Sequence, residues 1–109
     1  MAGKVFGKGT KSVKPNQVHH FATDKNSQFI PQFEKIASKY KLDLNNNWNK
    51  ASMPHGGRHP NDYHRYILDR MDNIDKIARG KQSVFLSEFE KVKQVVINNP
   101  AMLTKKYWL

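Results

Sequence analysis

Apolar side chains recur along this chain at three helical spacings, separated by two short runs that suit strands. Phe29, Phe33, Ile36, Ala37 and Tyr40 return every three or four positions, which predicts a helix of about three turns with Pro31 tolerated in its first turn. Tyr63, Ile67, Met71, Ile74 and Ala78 predict a longer helix, opened by Pro60 at its first position and ended by Gly80. Ser83 is the expected N-cap of a last helix with Phe85, Phe89, Val92 and Val96 on one face, stopped by Asn98-Asn99-Pro100. Val18 to Ala22 and Trp48 to Met53 read as short strands. Between them, the polar stretch from Asp43 to Asn47 and the loop Pro54-His55-Gly56-Gly57 break the periodicity. No internal repeat is visible. Strand, helix, strand, long helix, helix predicts an α+β fold that is mostly helical.

Length and composition bound this picture. A chain of 109 residues holds one domain with a modest core. Residues 1–16, rich in Gly and Lys, read as a flexible basic linker, leaving 17–109 as the folded domain. Without cysteine there is neither a disulfide framework nor a thiolate metal site. No apolar run approaches the ~20 residues that span a bilayer, and no signal peptide is readable after Met1-Ala2-Gly3-Lys4. Nineteen Lys and Arg against nine Asp and Glu give a net charge of +10. That excess favours a polyanionic partner, of which nucleic acid is one class. Charge names no reaction.

The five histidines sharpen the choice, because they fall in two short segments: His19-His20 and His55, His59, His64. Imidazole is the commonest protein metal ligand and the side chain suited to act as a base near neutral pH. His59 and His64 lie about 140° apart if both are helical, too far round to share an ion easily. With Pro60 opening the helix, however, His59 becomes its N-cap and is free to turn toward the ion of His64 or to pair with His55. Both arrangements stay open at this level.

Taken in order, Val18-His19-His20, Trp48-Asn49, Met53-Pro54 and His55-Gly-Gly-Arg-His59-Pro-Asn-Asp-Tyr63-His64 resemble the AHH nucleases of the HNH/endonuclease VII superfamily. The resemblance covers Gln17 to Leu68, and Val18 stands where the family motif has alanine. It implies a ββα-metal core over about 17–80, with the helix over about 83–98 added. It also implies one divalent ion, Zn, Ni, Mn or Mg. By the same resemblance His19 and His59 are metal ligands, His20 is the general base, and Asn49 orients that base or braces the strands. The third ligand is His64 or His55, and His55 also counts with His20 and Asn49 as a catalytic candidate. The roles of His19 and His20 are open to exchange.

Beside the histidines, Arg58 and Arg65 are candidate phosphate clamps, and Lys14 belongs to a basic segment that adds salt-sensitive affinity. The expected function is therefore a metal-dependent endonuclease acting on DNA, or on RNA, with little sequence selectivity. The resemblance further implies a toxin module, secreted within a larger protein and delivered to a target-cell cytoplasm, with a dedicated immunity protein as partner; the domain itself is expected to be a monomer. Two other classes compete: a basic binding module whose histidines hold a structural metal, and a metal-dependent hydrolase of a small substrate. The first leaves one histidine beyond a closed four-ligand site unexplained, and the second leaves the charge unused.

Overall fold

A computed structural model describes residues 16–54 and 59–109. Strand β1 (Asn16–His20) pairs antiparallel with β2 (Lys50–Pro54), setting His19 opposite Ala51 and His20 opposite Lys50. Helix α1 (Ile30–Lys39) lies between the two strands in sequence, and α2 (Asn61–Ala78) and α3 (Gln82–Asn98) follow them. The fold is α+β and predominantly helical, as the periodicity predicts. Two short 3-10 turns, Pro100–Leu103 and Lys105–Trp108, complete the chain and had no counterpart in the sequence reading.

All three predicted stripes are buried. Phe33, Ile36 and Ala37 of α1 meet Tyr63, Ile67, Met71 and Ile74 of α2 in one core, with Phe85, Phe89, Val92 and Val96 of α3. Each helix is held by its apolar face, and no capping side chain bonds its first turn. Two N-termini differ from expectation. Pro60 is the N-cap of α2 rather than its first helical residue, because its carbonyl accepts the amides of Tyr63 (3.0 Å) and His64 (3.4 Å). His59 therefore stands one residue outside the helix instead of capping it. Lys81, not Ser83, caps α3: its carbonyl accepts the Phe85 amide at 3.1 Å, and Ser83 falls inside the first turn. The end of α2 is made by a left-handed pair, Arg79 at φ 49° and Gly80 at φ 86°, a conformation cheap for glycine only.

Side chains of α3 pack against residues that flank the strand pair. Trp48 precedes β2 and sets its ring 4.9 Å from Phe89 and 5.9 Å from Phe85. Lys93 of α3 lies mostly buried with its ammonium 5.7 Å from the Phe21 ring, just past β1. Thus α3, which carries no candidate site residue, packs against the residues that flank the strands, Phe21 just after the His19-His20 pair and Trp48 just before Asn49. Lys14, His55 and Arg58 lie outside the described residues, as does the predicted linker except Asn16, which opens β1.

Candidate active site

Strand β1 ends in two histidines, and strand alternation sends them to different surroundings. His19 turns inward and is 2 % exposed; His20 remains half-buried. Both line one cleft of about 620 Å³, together with His59, His64 and Asn61 from the start of α2. Residues His19 and His59, forty positions apart, meet there: His19 Nδ1 lies 3.1 Å from His59 Nε2. Of the two arrangements that the sequence left open, His59 with His64 is seen at a ring-centroid separation of 6.4 Å, and His59 with His55 involves a residue outside the described ones.

The tautomer of His19 follows from its other nitrogen. The Tyr63 hydroxyl donates to the Phe21 carbonyl at 3.0 Å, so its oxygen is left to accept from His19 Nε2–H at 3.1 Å. Nδ1 then carries the lone pair on the side of His59. Tyr63 is fully buried, and burial pushes its phenol well above the ordinary range, so it stays a neutral hydrogen-bonding group. The sequence puts Tyr63 on the apolar stripe of α2 and in the motif that carries the family resemblance, but assigns its hydroxyl no role. The His-x-x-x-Tyr spacing of that motif is what puts the phenol about one turn beyond His59.

His20 has its own partners. Its Nε2 lies 3.0 Å from Asn45 Oδ1 and 3.4 Å from Asp24 Oδ2. Neither residue was picked out from the sequence, although Asp24 follows His20 by four positions and Asn45 opens the asparagine run. Asn49 does not reach the His20 side chain. Fully buried, it spends its amide on backbone: Nδ2 donates to the carbonyls of Ala22 (2.8 Å) and Leu44 (2.9 Å), and Oδ1 accepts the Ala22 amide (2.8 Å). Of the two roles the resemblance implied, the geometry is that of a brace.

His64 is 3 % exposed, and its Nδ1 finds no hydrogen-bond partner among the described residues. Burial lowers its pKa from the ordinary histidine value, so it sits neutral among Phe29, Tyr63 and His59. Its ring centroid is 6.4 Å from that of His59, against 4.8 Å between His19 and His59. Arg65 lies apart from the cleft lining, more than half exposed and paired with Asp62 at 3.2 Å. Lys25 is the one Lys or Arg among the described residues that lines the cleft.

A donor set can be tested for fit to a divalent ion. Two imidazole nitrogens on one ion at about 2.0–2.1 Å stand a little over 3 Å apart, close to the His19–His59 separation. Among the described residues no group of three or more His, Asp or Glu forms a cage. His19 and His59 would therefore fit as two of the ligands of such an ion.

A model of the AHH family, a nuclease family of the HNH/ENDO VII superfamily with conserved AHH, matches residues 2–96. The chain belongs to the AHH nuclease family. No curated protein and no solved structure gave a match. The ordered resemblance in the sequence, from Val18-His19-His20 to Tyr63-His64, is thereby borne out at the level of family and fold. Val18, where the family has alanine, is 65 % exposed, so its extra methyl groups need no room in the core. Nucleases of this superfamily generally use a divalent metal, which agrees with the donor pair described above.

Proposed function

We propose that this AHH nuclease is a metal-dependent endonuclease that hydrolyses DNA backbones with little sequence selectivity, using His20 as general base and His19 and His59 as metal ligands. One observation carries the reading: His19 and His59 converge at 3.1 Å in a cleft that His20 also lines. His20 takes a proton from a water, the water oxygen forms a bond to the scissile phosphorus, and the bond to the leaving oxygen breaks. A divalent ion, when bound, supplies Lewis-acid stabilisation of the charge on the phosphoryl and leaving oxygens. Tyr63 holds His19 in the tautomer that turns a lone pair toward His59, and Asn49 braces the segment after β1. Lys25 at the cleft, Lys14, and the net charge of +10 attract the phosphate backbone without reading bases.

The biological setting belongs to the same proposal. The domain acts as the toxin module of a secreted protein, is delivered into a target-cell cytoplasm and is neutralised by an immunity protein. Its support is the usual setting of the family resemblance.

The test uses supercoiled plasmid, with structured RNA beside it, and Mg²⁺, Mn²⁺, Zn²⁺, Ni²⁺ or EDTA in parallel. Expected is metal-dependent nicking of DNA that His20→Ala abolishes. Binding without cutting in every metal overturns the enzyme reading in favour of a binding module. Preferential cutting of RNA overturns the choice of DNA. Expression in a bacterial cytoplasm tests toxicity: growth stops with the parent chain and continues with His20→Ala.

A further inference from the structure

The reading of His20 as base leaves open what decides which of its nitrogens is basic. We propose that Asn45 and Asp24 are the positioning residues of His20, holding its ring as the Nε2–H tautomer so that Nδ1 carries the basic lone pair. This rests on the assignment of His20 as the base and deepens it.

Two oxygen acceptors face the same nitrogen, Asn45 Oδ1 at 3.0 Å and Asp24 Oδ2 at 3.4 Å. Only an N–H at Nε2 serves both. Reversing the Asn45 amide would put an N–H against an Nε2 lone pair, but that lone pair would then face the Asp24 carboxylate. The neutral ring therefore has its proton on Nε2. With both orientation and tautomer set, the base is ready to act without losing rotational freedom in the transition state.

Each partner sits on a turn that is itself tied down. Asn45 belongs to a turn built on Asp43, whose Oδ1 accepts the Asn45 amide at 2.8 Å and whose carbonyl accepts the Trp48 indole at 2.7 Å. Trp48 is in turn seated on Phe85 and Phe89. Asp24 follows Thr23, whose Oγ1 accepts the amides of Lys25 (3.1 Å) and Asn26 (3.2 Å). Asn49 joins the two turns: it bonds Ala22, two residues before Asp24, and Leu44, immediately before Asn45. Its effect on the base is thus indirect. It fixes the separation of the two turns, and these in turn hold the ring.

The experiment compares the parent chain, Asn45→Ala, Asp24→Ala, the double variant and His20→Ala. Long-range ¹H–¹⁵N spectra of the metal-free protein in mildly alkaline buffer report the His20 tautomer, and plasmid nicking reports kcat and KM. In the parent, Nε2 carries the proton. In the double variant Nδ1–H signal appears and kcat falls about ten- to a hundredfold while KM stays within about twofold. A change in the tautomer without a change in kcat, or the reverse, overturns the proposal. If the double variant matches the parent in both while His20→Ala is inactive, the positioning role is refuted and the base stands. If His20→Ala cuts like the parent, the assignment of the base itself has failed. Asn45 is exposed and Asp24 half-buried, so both alanine variants fold, and thermal melting verifies it.

Discussion

Removing one oxygen atom from the core probes the site without touching a histidine. Tyr63→Phe keeps a buried ring of nearly the same volume and deletes only the hydroxyl that links His19 Nε2 (3.1 Å) to the Phe21 carbonyl (3.0 Å). Two groups lose their partner together: an imidazole N–H that is 2 % exposed and the carbonyl of a fully buried residue. An unsatisfied buried polar group costs about 1–3 kcal/mol, so the pair predicts a loss of about 3 kcal/mol. Domains of this class have about 5–15 kcal/mol in all, so the variant still folds. At about 2.1 cal/mol/K per residue, the unfolding entropy of a 109-residue chain turns that loss into a fall in Tm of roughly 13 °C.

The second consequence is chemical. Without the phenol, the acceptor that favours the proton on His19 Nε2 is gone. Losing the partner that orients a metal-bound histidine typically costs ten- to a hundredfold in affinity. Thermal melting followed by circular dichroism measures the first effect, and calorimetric titration with Mn²⁺ and Ni²⁺ the second. A fall in Tm below about 4 °C would refute the two-bond bookkeeping. A fall of the expected size with unchanged metal affinity would refute the orienting role and reduce Tyr63 to packing.

Two further outcomes follow from the same structure. Asn49→Ala deletes three bonds to buried backbone and is expected to cost about 3–5 kcal/mol in urea unfolding, whereas a loss under about 1 kcal/mol would contradict the brace. Asp75 has its pKa lowered by the hydrogen bond from Lys39 and then by that from Tyr40. A lowered carboxylate pKa contributes stability above the unfolded value and loses it as pH falls through the folded one. Asp75→Asn is therefore expected to be about 1 kcal/mol less stable than the parent near neutrality, with the gap closing below about pH 4. A gap that stays constant down to about pH 2.5 would remove Asp75 from the acid response.

What could be read from sequence divides by the range of the interaction. Stripes such as Phe85-Phe89-Val92-Val96 were legible because helical periodicity repeats a local rule several times, and every member is buried. Helix starts were less so. Pro60 and Lys81 became N-caps through their carbonyls, which leave no mark on side-chain identity. In the site, the type of residue announced histidine chemistry, but the meeting of His19 with His59 depends on how β1 is set against the start of α2. Tyr63 was hidden for a different reason: it satisfies the apolar stripe so well that its hydroxyl needed no further explanation. Arg65, adjacent to His64 in sequence, looked like a clamp, yet one residue of helix is about 100° of rotation and carries it to the Asp62 face.

The asparagines show most clearly why spacing alone does not assign roles. Asn45 and Asn49 are four residues apart in one polar segment, and the turn between them gives them opposite duties. Asn49 points into the protein and exhausts its amide on Ala22 and Leu44. Asn45 stays exposed and offers its oxygen to His20. The chemistry of the outer one depends on the rigidity of the inner one, because an imidazole held to 3.0 Å by a loose turn would lose its orientation as fast as the turn moves. A buried brace and an exposed acceptor are in that sense one device. Damage to either is expected to reach His20: through stability and the setting of both turns when Asn49 is altered, and through one of the two acceptors at Nε2 when Asn45 is.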